Sequence, residues 1–168
     1  MVLRVTSKMI DYELAKEQVR KKLAETFTNK SVTVGIHEDA GVHPDGSVTN
    51  AQLGALLNYG DETNTLNGHS APIPPRPWLI PGARAAIEAI TDIVVERLRE
   101  DAEMSKTLDA IGAVTAGEVQ QYMTDLRTPP NAPYTIAQKG SSNPLIDKGA
   151  LRASVTWKVT DEKPTEGI

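Results

Sequence analysis

The residues best suited to chemistry lie in one short stretch. His37-Glu38-Asp39, followed by His43 and Asp45, brings two imidazoles and three carboxylates close together in sequence. These are borderline-to-hard metal ligands, and a loop can converge them. Yet His37 and Asp39 fall on one face of a strand, and His43 and Asp45 sit in a turn marked by Pro44-Asp45-Gly46. No H-E-x-x-H or comparable spacing fixes a geometry. A solvated acidic loop is the simpler reading, and no metal is expected. Serine chemistry has less behind it. Gly140-Ser141-Ser142 lies in a polar stretch without the strand–turn–helix context of a nucleophile elbow, and His37, His43 and His69 are the only imidazole bases available. Glu100, Asp101 and Glu103 belong to a solvated helix face. There is no P-loop, no G-x-G-x-x-G and no cysteine, so thiol nucleophiles, disulfides and thiolate metal sites are excluded. No enzyme and no cofactor is expected.

The elements that would position any site follow from periodicity and punctuation. Residues 8–27 predict an amphipathic helix: Tyr12, Ala15, Val19, Leu23 and Phe27 recur at helical spacing, with Lys16, Arg20, Lys21 and Lys22 on the polar side. Residues 31–38 alternate Val32, Val34 and Ile36 as a strand. A loop over 39–49 precedes a short helix, 51–58, with Asn50 as its cap. Nine of the 11 prolines fall in two clusters, 72–81 and 129–144. Between them, a helix over about 82–103 buries Ile87, Ile90, Val94 and Leu98. A second, over about 105–126, buries Leu108, Ile111, Val119, Tyr122, Met123 and Leu126. Gly112 and Gly117 each cost that helix about 1 kcal/mol against Ala, which suggests close approach by another element. Residues 153–159 alternate Val155, Trp157 and Val159 as another strand, and the tail from residue 160 is polar. The fold class is therefore α+β: a small antiparallel sheet of three or four strands packed by two long helices and an N-terminal helix. Extended Pro-rich arms lie over 60–81 and 128–144. The extra strands would come from residues 2–6 or the Pro-rich segment.

With 168 residues, 39% of them apolar, the chain suits a single domain with a core of its own. No apolar run reaches the roughly 18–20 residues of a membrane span, and the first residues do not read as a signal peptide, so a cytoplasmic site of synthesis is expected. The net charge of −4 argues against a dedicated nucleic-acid binder. Residues 1–30 carry seven Lys/Arg against four acids, whereas 37–62 carry five acids and no Lys/Arg. Over 84–127 there are nine acids against five bases. A chain basic first and acidic in the middle suits head-to-tail contact between copies. Seven aromatic residues offer few stacking platforms for single-stranded nucleic acid. Nearly half the chain is loop, tail or Pro-rich segment, an allocation that suits a subunit whose segments fold against neighbours.

Three blocks carry a family resemblance. They are Leu53 to Gly60, ending Leu57-Asn58-Tyr59-Gly60; Ile73-Pro74-Pro75-Arg76-Pro77-Trp78-Leu79; and Pro129 to Gly140 continuing through Pro144-Leu145-Ile146-Asp147-Lys148-Gly149-Ala150-Leu151-Arg152-Ala153-Ser154. In this order, with two helices between, they resemble the small head–tail joining (neck, tail-completion) proteins of tailed bacteriophages. That group includes the Mu-like virion morphogenesis and related tail-component families. Asn58 stands where the family usually has an acid, and Lys148 where it has Thr.

The resemblance implies a non-enzymatic virion protein at the head–tail junction, made in the host bacterial cytoplasm. It implies a ring of six copies, with twelve as the alternative, that contacts neighbouring connector and tail-tube proteins. Genomic DNA would pass through without specific binding, and no membrane is involved. Another tail or capsid-accessory assembly role and a metal-dependent enzyme are the competing readings. The expected subunit-interface residues are Ile73, Arg76, Trp78, Tyr134, Ile136, Asp147 and Leu151. Arg76, on a stiff proline backbone, would offer its fork to a neighbour's carboxylate, and Trp78 would be an apolar anchor. Asp147 would accept turn N–H groups, with Gly149 in a left-handed conformation.

Overall fold

A computed structural model describes residues 16–17, 20–21, 30–44, 48–63, 72–100 and 103–162. Residues 16, 17, 20 and 21 are helical; the rest of the expected N-terminal helix, with the possible strand at 2–6, lies outside the described residues. The elements in order are β1 (Ser31–Gly35), a single 3₁₀ turn (Glu38–Ala40), α1 (Asn50–Tyr59), α2 (Leu79–Ala85), α3 (Ile87–Arg99), α4 (Met104–Asp125), α5 (Pro133–Lys139), α6 (Ala150–Ala153) and β2 (Thr156–Thr160). The class is α+β. Among the described residues the sheet has two strands, not three or four: β1 pairs antiparallel with β2, Val34 opposite Trp157 and Val32 opposite Val159. The first Pro-rich segment adds only an isolated bridge, Asp61 with Ile73. Four prolines among residues 72–77 remove the N–H groups that a ladder needs.

The 22-residue α4 is the spine, roughly 33 Å long. Its buried side chains Ala116, Val119 and Met123 meet Trp78, Leu145, Leu151 and Val155 in one core. Two glycines set how closely neighbours approach. A Cβ on Gly82 of α2 would lie 2.8 Å from the Val119 Cα, so α2 rests almost backbone to backbone on α4. A Cβ on Gly112 would run into the Trp157 ring, which explains one of the two helix glycines. Gly117 has nothing nearby and no such reason. The Trp157 indole N–H donates to the Asp109 carboxylate at 2.8 Å, and the Gln120 amide donates to the Val155 carbonyl at 3.0 Å, which ties β2 along α4.

Local boundaries differ from the sequence reading in instructive ways. The cap of α1 is Thr49, not Asn50: its hydroxyl accepts from the Gln52 N–H while the Gln52 side chain accepts from the Thr49 N–H. The expected helix over 82–103 is two helices, broken at Ala86 and starting earlier, at Leu79. Ile87, expected in the core, is 59% exposed, and no residue of α3 is fully buried. The segment 128–144 is not a free arm. It contains α5, started by Pro133 at its first position and ended by Gly140 at φ 68°. It is also tied down by Asn143, whose amide donates to Thr124 O and whose carbonyl accepts from the N–H groups of Leu145 and Ile146.

Candidate functional site

The three sequence blocks, far apart along the chain, meet at one junction beside α4. The first meets the second through α1. Asn58, buried, accepts from the Trp78 and Leu79 N–H groups at 3.0 and 3.3 Å, and so fixes where α2 begins. A carboxylate at this position could accept the same two bonds. The Trp78 indole N–H donates to Gly54 O at 3.0 Å, and the Arg76 N–H donates to Leu57 O at 2.8 Å. Gly60 closes α1 at φ 76°; a Cβ there would sit 2.6 Å from Ile73 O, so only glycine lets the proline strap pass.

The second block meets the third through Arg76. Its Nε donates to Pro129 O at 2.9 Å and its Nη2 to Pro130 O at 3.1 Å, across the cis Thr128–Pro129 bond. Arg76 is 5% exposed, and among the described residues it forms no ion pair with a carboxylate. Burial pulls its guanidinium below the ordinary arginine value. Lys139 lies near enough to feel that charge. Burial first, then Arg76, lowers its ammonium from the usual lysine range, while Asp147 acts the other way. Its Nζ donates to Asn143 O at 3.2 Å. Two cations held by main-chain carbonyls form a structural knot, since carbonyl dipoles satisfy the N–H groups without adding negative charge.

The expected interface residues therefore divide. Arg76, Trp78 and Leu151 are buried in their own chain: Trp78 is 3% exposed and fills the core, so neither its area nor the Arg76 fork is offered to a neighbour. The sequence leaves this open, because prolines around an arginine look the same whether the strap is folded back or free. Ile73 and Ile136 are half-buried, Asp147 is exposed, and Tyr134 is 70% exposed, its hydroxyl accepting only from Gln138. Gly149 has the expected left-handed conformation at φ 85°. Among the described residues Asp147 accepts none of the turn's N–H groups; the Asn143 side chain accepts from the Leu145 and Ile146 N–H groups instead. Neither Asn58 nor Asn143 was singled out for its hub role, and no local pattern marks either one.

The His/Asp stretch does not converge. His37 sits between two hydroxyls, Nε2 3.0 Å from Thr33 Oγ1 and Nδ1 3.1 Å from Thr156 Oγ1. Partial burial, then the Lys158 charge, lowers its pKa against the pull of Asp39. Asp39 instead binds Lys158 at 2.7 Å, and that bond holds its carboxyl below the ordinary range. His43 pairs with the Asn50 side chain at 3.1 Å. Asp45 and His69 lie outside the described residues. Among the described residues, no three His, Asp or Glu side chains gather as metal ligands, and no helix is long and apolar enough to cross a membrane. An open cleft of about 380 Å³, lined by Pro77, Tyr122, Asp125, Leu126, Arg127 and Thr128, runs beside the knot without a nucleophile–base pair.

The molecule thus belongs to the α+β class, with a two-stranded sheet among the described residues and proline straps packed beside α4. No family model, curated protein or solved structure matches the chain.

Proposed function

We propose that this chain is a structural protein of a tailed-bacteriophage virion. It acts at the head–tail junction as one subunit of a closed ring of six copies, or of twelve, that continues the DNA channel. Its mechanism is placement: a rigid wedge presents one surface to the adjacent connector or tail-tube protein and another to its neighbours in the ring. No bond is made or broken. The observation that carries this reading is the interlock itself. Of the three blocks that resemble neck proteins, spread from Leu53 to Ser154, the first holds the second through Asn58 and the second holds the third through Arg76, while Asn143 ties the third to α4. A strap cross-tied in this way specifies shape rather than reactivity. The acidic surface of the middle of the chain suits a channel past which a polyanion must slide.

The test is composition of the particle. Quantitative mass spectrometry of purified virions from the phage or induced prophage that encodes this chain should find it in a small multiple of six copies per tail. Its absence from mature particles, with abundance in the lysate, would overturn the structural role in favour of an assembly factor. Gel shifts at physiological salt should show no sequence-dependent DNA binding at submicromolar protein.

A further inference from the structure

The two ends of α4 carry complementary surfaces. α3 packs against α4 and ends at Arg99, just before α4 begins at Met104. Its outward side leaves Ile87 and Val95 exposed, with Thr91 between them at four-residue spacing. One position on from each stands a carboxylate, Glu88, Asp92 and Glu96, all exposed and none ion-paired among the described residues. Glu100 pairs with Arg97 at 3.3 Å, and Arg84 and Arg99 are the remaining cations of α2 and α3. The C-terminal end of α4 has the converse make-up. Arg127 and Arg152 converge on Thr124, the first donating to its carbonyl and the second to its hydroxyl at 3.1 Å. Lys148 is exposed in the turn before α6. None of these three cations is ion-paired among the described residues; of the nearby acids, Asp125 accepts from Gln121 at 2.8 Å and Asp147 is exposed.

Beside Arg127 opens the cleft of about 380 Å³, with Pro77, Tyr122 and Leu126 as its apolar walls. A helix that sets an apolar side chain next to a carboxylate, turn after turn, matches a cleft that is apolar within and cationic along its edge. Within one chain α2 stands between the two surfaces, resting on Val119 through Gly82, so α3 does not reach its own cleft. We propose that the α3 face of one copy seats in this cleft on the next copy, the Ile87–Val95 row against the apolar walls and the Glu88–Glu96 row toward Arg127, Lys148 and Arg152. Exposed ion pairs contribute little, so the apolar contact holds and the charges set the register. The two patches differ and both lie on every chain, so the contact is heterologous and propagates head to tail until it closes. It rests on the ring reading above and gives that ring its interface.

Charge exchange tests it. One variant carries Glu88→Lys, Asp92→Lys and Glu96→Lys; the other carries Arg127→Glu, Lys148→Glu and Arg152→Glu. All six side chains are exposed, and circular dichroism should show both variants folded. By light scattering and native mass spectrometry across a concentration series, the unaltered chain should associate, and each variant alone at least about tenfold more weakly. An equimolar mixture should recover assembly, because each reversed surface then meets its reversed partner and each native surface its native one. A second pair of variants spares the arginines that brace Thr124. The chain has no cysteine, so Thr91→Cys copies mixed with Thr128→Cys copies, both sites exposed, should form a mixed disulfide dimer under mild oxidation in clear excess over either same-site dimer. If the charge variants unfold, this disulfide alone decides. A folded mixture that stays dispersed, or no excess of the mixed disulfide, would overturn the docking. Variants that assemble like the unaltered chain would remove this interface and leave the ring standing. An unaltered chain that is monomeric throughout the series and gives no mixed disulfide ends the docking too, and its absence from virions as well would remove the ring reading.

Discussion

Trp78 and Ile87 lie two turns of helix apart and are both large and apolar, yet the first is 3% exposed and the second 59%. The proline strap around Trp78 is held from within its own chain: Asn58 accepts from the Trp78 N–H, Gly54 O from its indole N–H, and Pro129 O and Pro130 O from the Arg76 side chain. The α3 face has the reverse allocation. Ile90, Val94 and Leu98 are half-buried toward α4, while Ile87 and Val95 point outward beside a row of acids. One region spends its specificity on the fold of a single chain; the other leaves an apolar row exposed beside a row of acids. Binding surfaces need not coincide with the most distinctive motifs. Motifs rich in proline and arginine can be distinctive because they solve an internal packing problem.

The contrast should break most visibly at Trp78. Trp78→Ala removes a buried indole and leaves Gly54 O without its donor. The expected loss is about 3–5 kcal/mol, a drop in melting temperature on the order of 10 °C. Ile87→Ser, nine positions on, should change stability by no more than about 0.5 kcal/mol. Urea unfolding of the two variants measures both, and equal losses would erase the distinction between the regions.

Arg76 sharpens the same point. Arg76→Leu keeps apolar bulk but strips the donors from Pro129 O and Pro130 O, at an expected cost of about 1–3 kcal/mol. Lysine has no planar fork to reach both carbonyls, so Arg76→Lys should recover only part of the loss. If Arg76 served a neighbour's carboxylate instead, the leucine variant would keep its monomer stability and lose only assembly.

How much of this was readable beforehand depended on whether the information was local. The span of α4 follows from a repeat of apolar residues every third or fourth position, and it is observed within one residue at each end. The two strands follow from short alternating runs, but nothing local says that they pair or that Val34 lies opposite Trp157. The straps were misread as arms because periodicity reports which face is buried, and a run of prolines has no period. Their anchoring depends on single residues, Asn58 and Asn143, whose partners lie 20 or so positions away. The break at Ala86 was equally invisible, because alanine favours helix and no local signal marks the boundary between α2 and α3.

The two glycines of α4 separate local propensity from packing. Gly117→Ala meets open space in a helix and should stabilise by up to about 1 kcal/mol. Gly112→Ala gains the same propensity, but its methyl collides with the Cβ and ring of Trp157, which belongs to β2 and cannot move alone. Overpacking of this kind costs about 1–3 kcal/mol, so the net should be destabilising. Thermal unfolding of the pair should give opposite signs. Stabilisation by both would mean that Trp157 is free to swing away and that β2 is held elsewhere.

The smallest expected effect lies at the end of β1, where His37 joins the two strands through Thr33 and Thr156. Partial burial and the nearby Lys158 charge place its folded pKa below the unfolded value of 6.5. A histidine with a depressed folded pKa is held neutral by the fold, so between the two values the unfolded chain binds more protons. Stability then rises with pH across that window. The contribution is fully present above about pH 6.5 and is lost as pH falls below it toward the folded value. The Asp39 bond to Lys158 responds at lower pH: its depressed carboxyl contributes above the ordinary carboxylate range, and the contribution disappears as acid protonates it. The two contributions therefore separate on a pH axis. His37→Gln retains hydrogen-bonding groups but cannot titrate. Its melting temperature should lose the decline that the parent chain shows as pH falls below about 6.5, and keep the loss under stronger acid. An unchanged pH dependence in the glutamine variant would leave the β1–β2 link without a protonation switch.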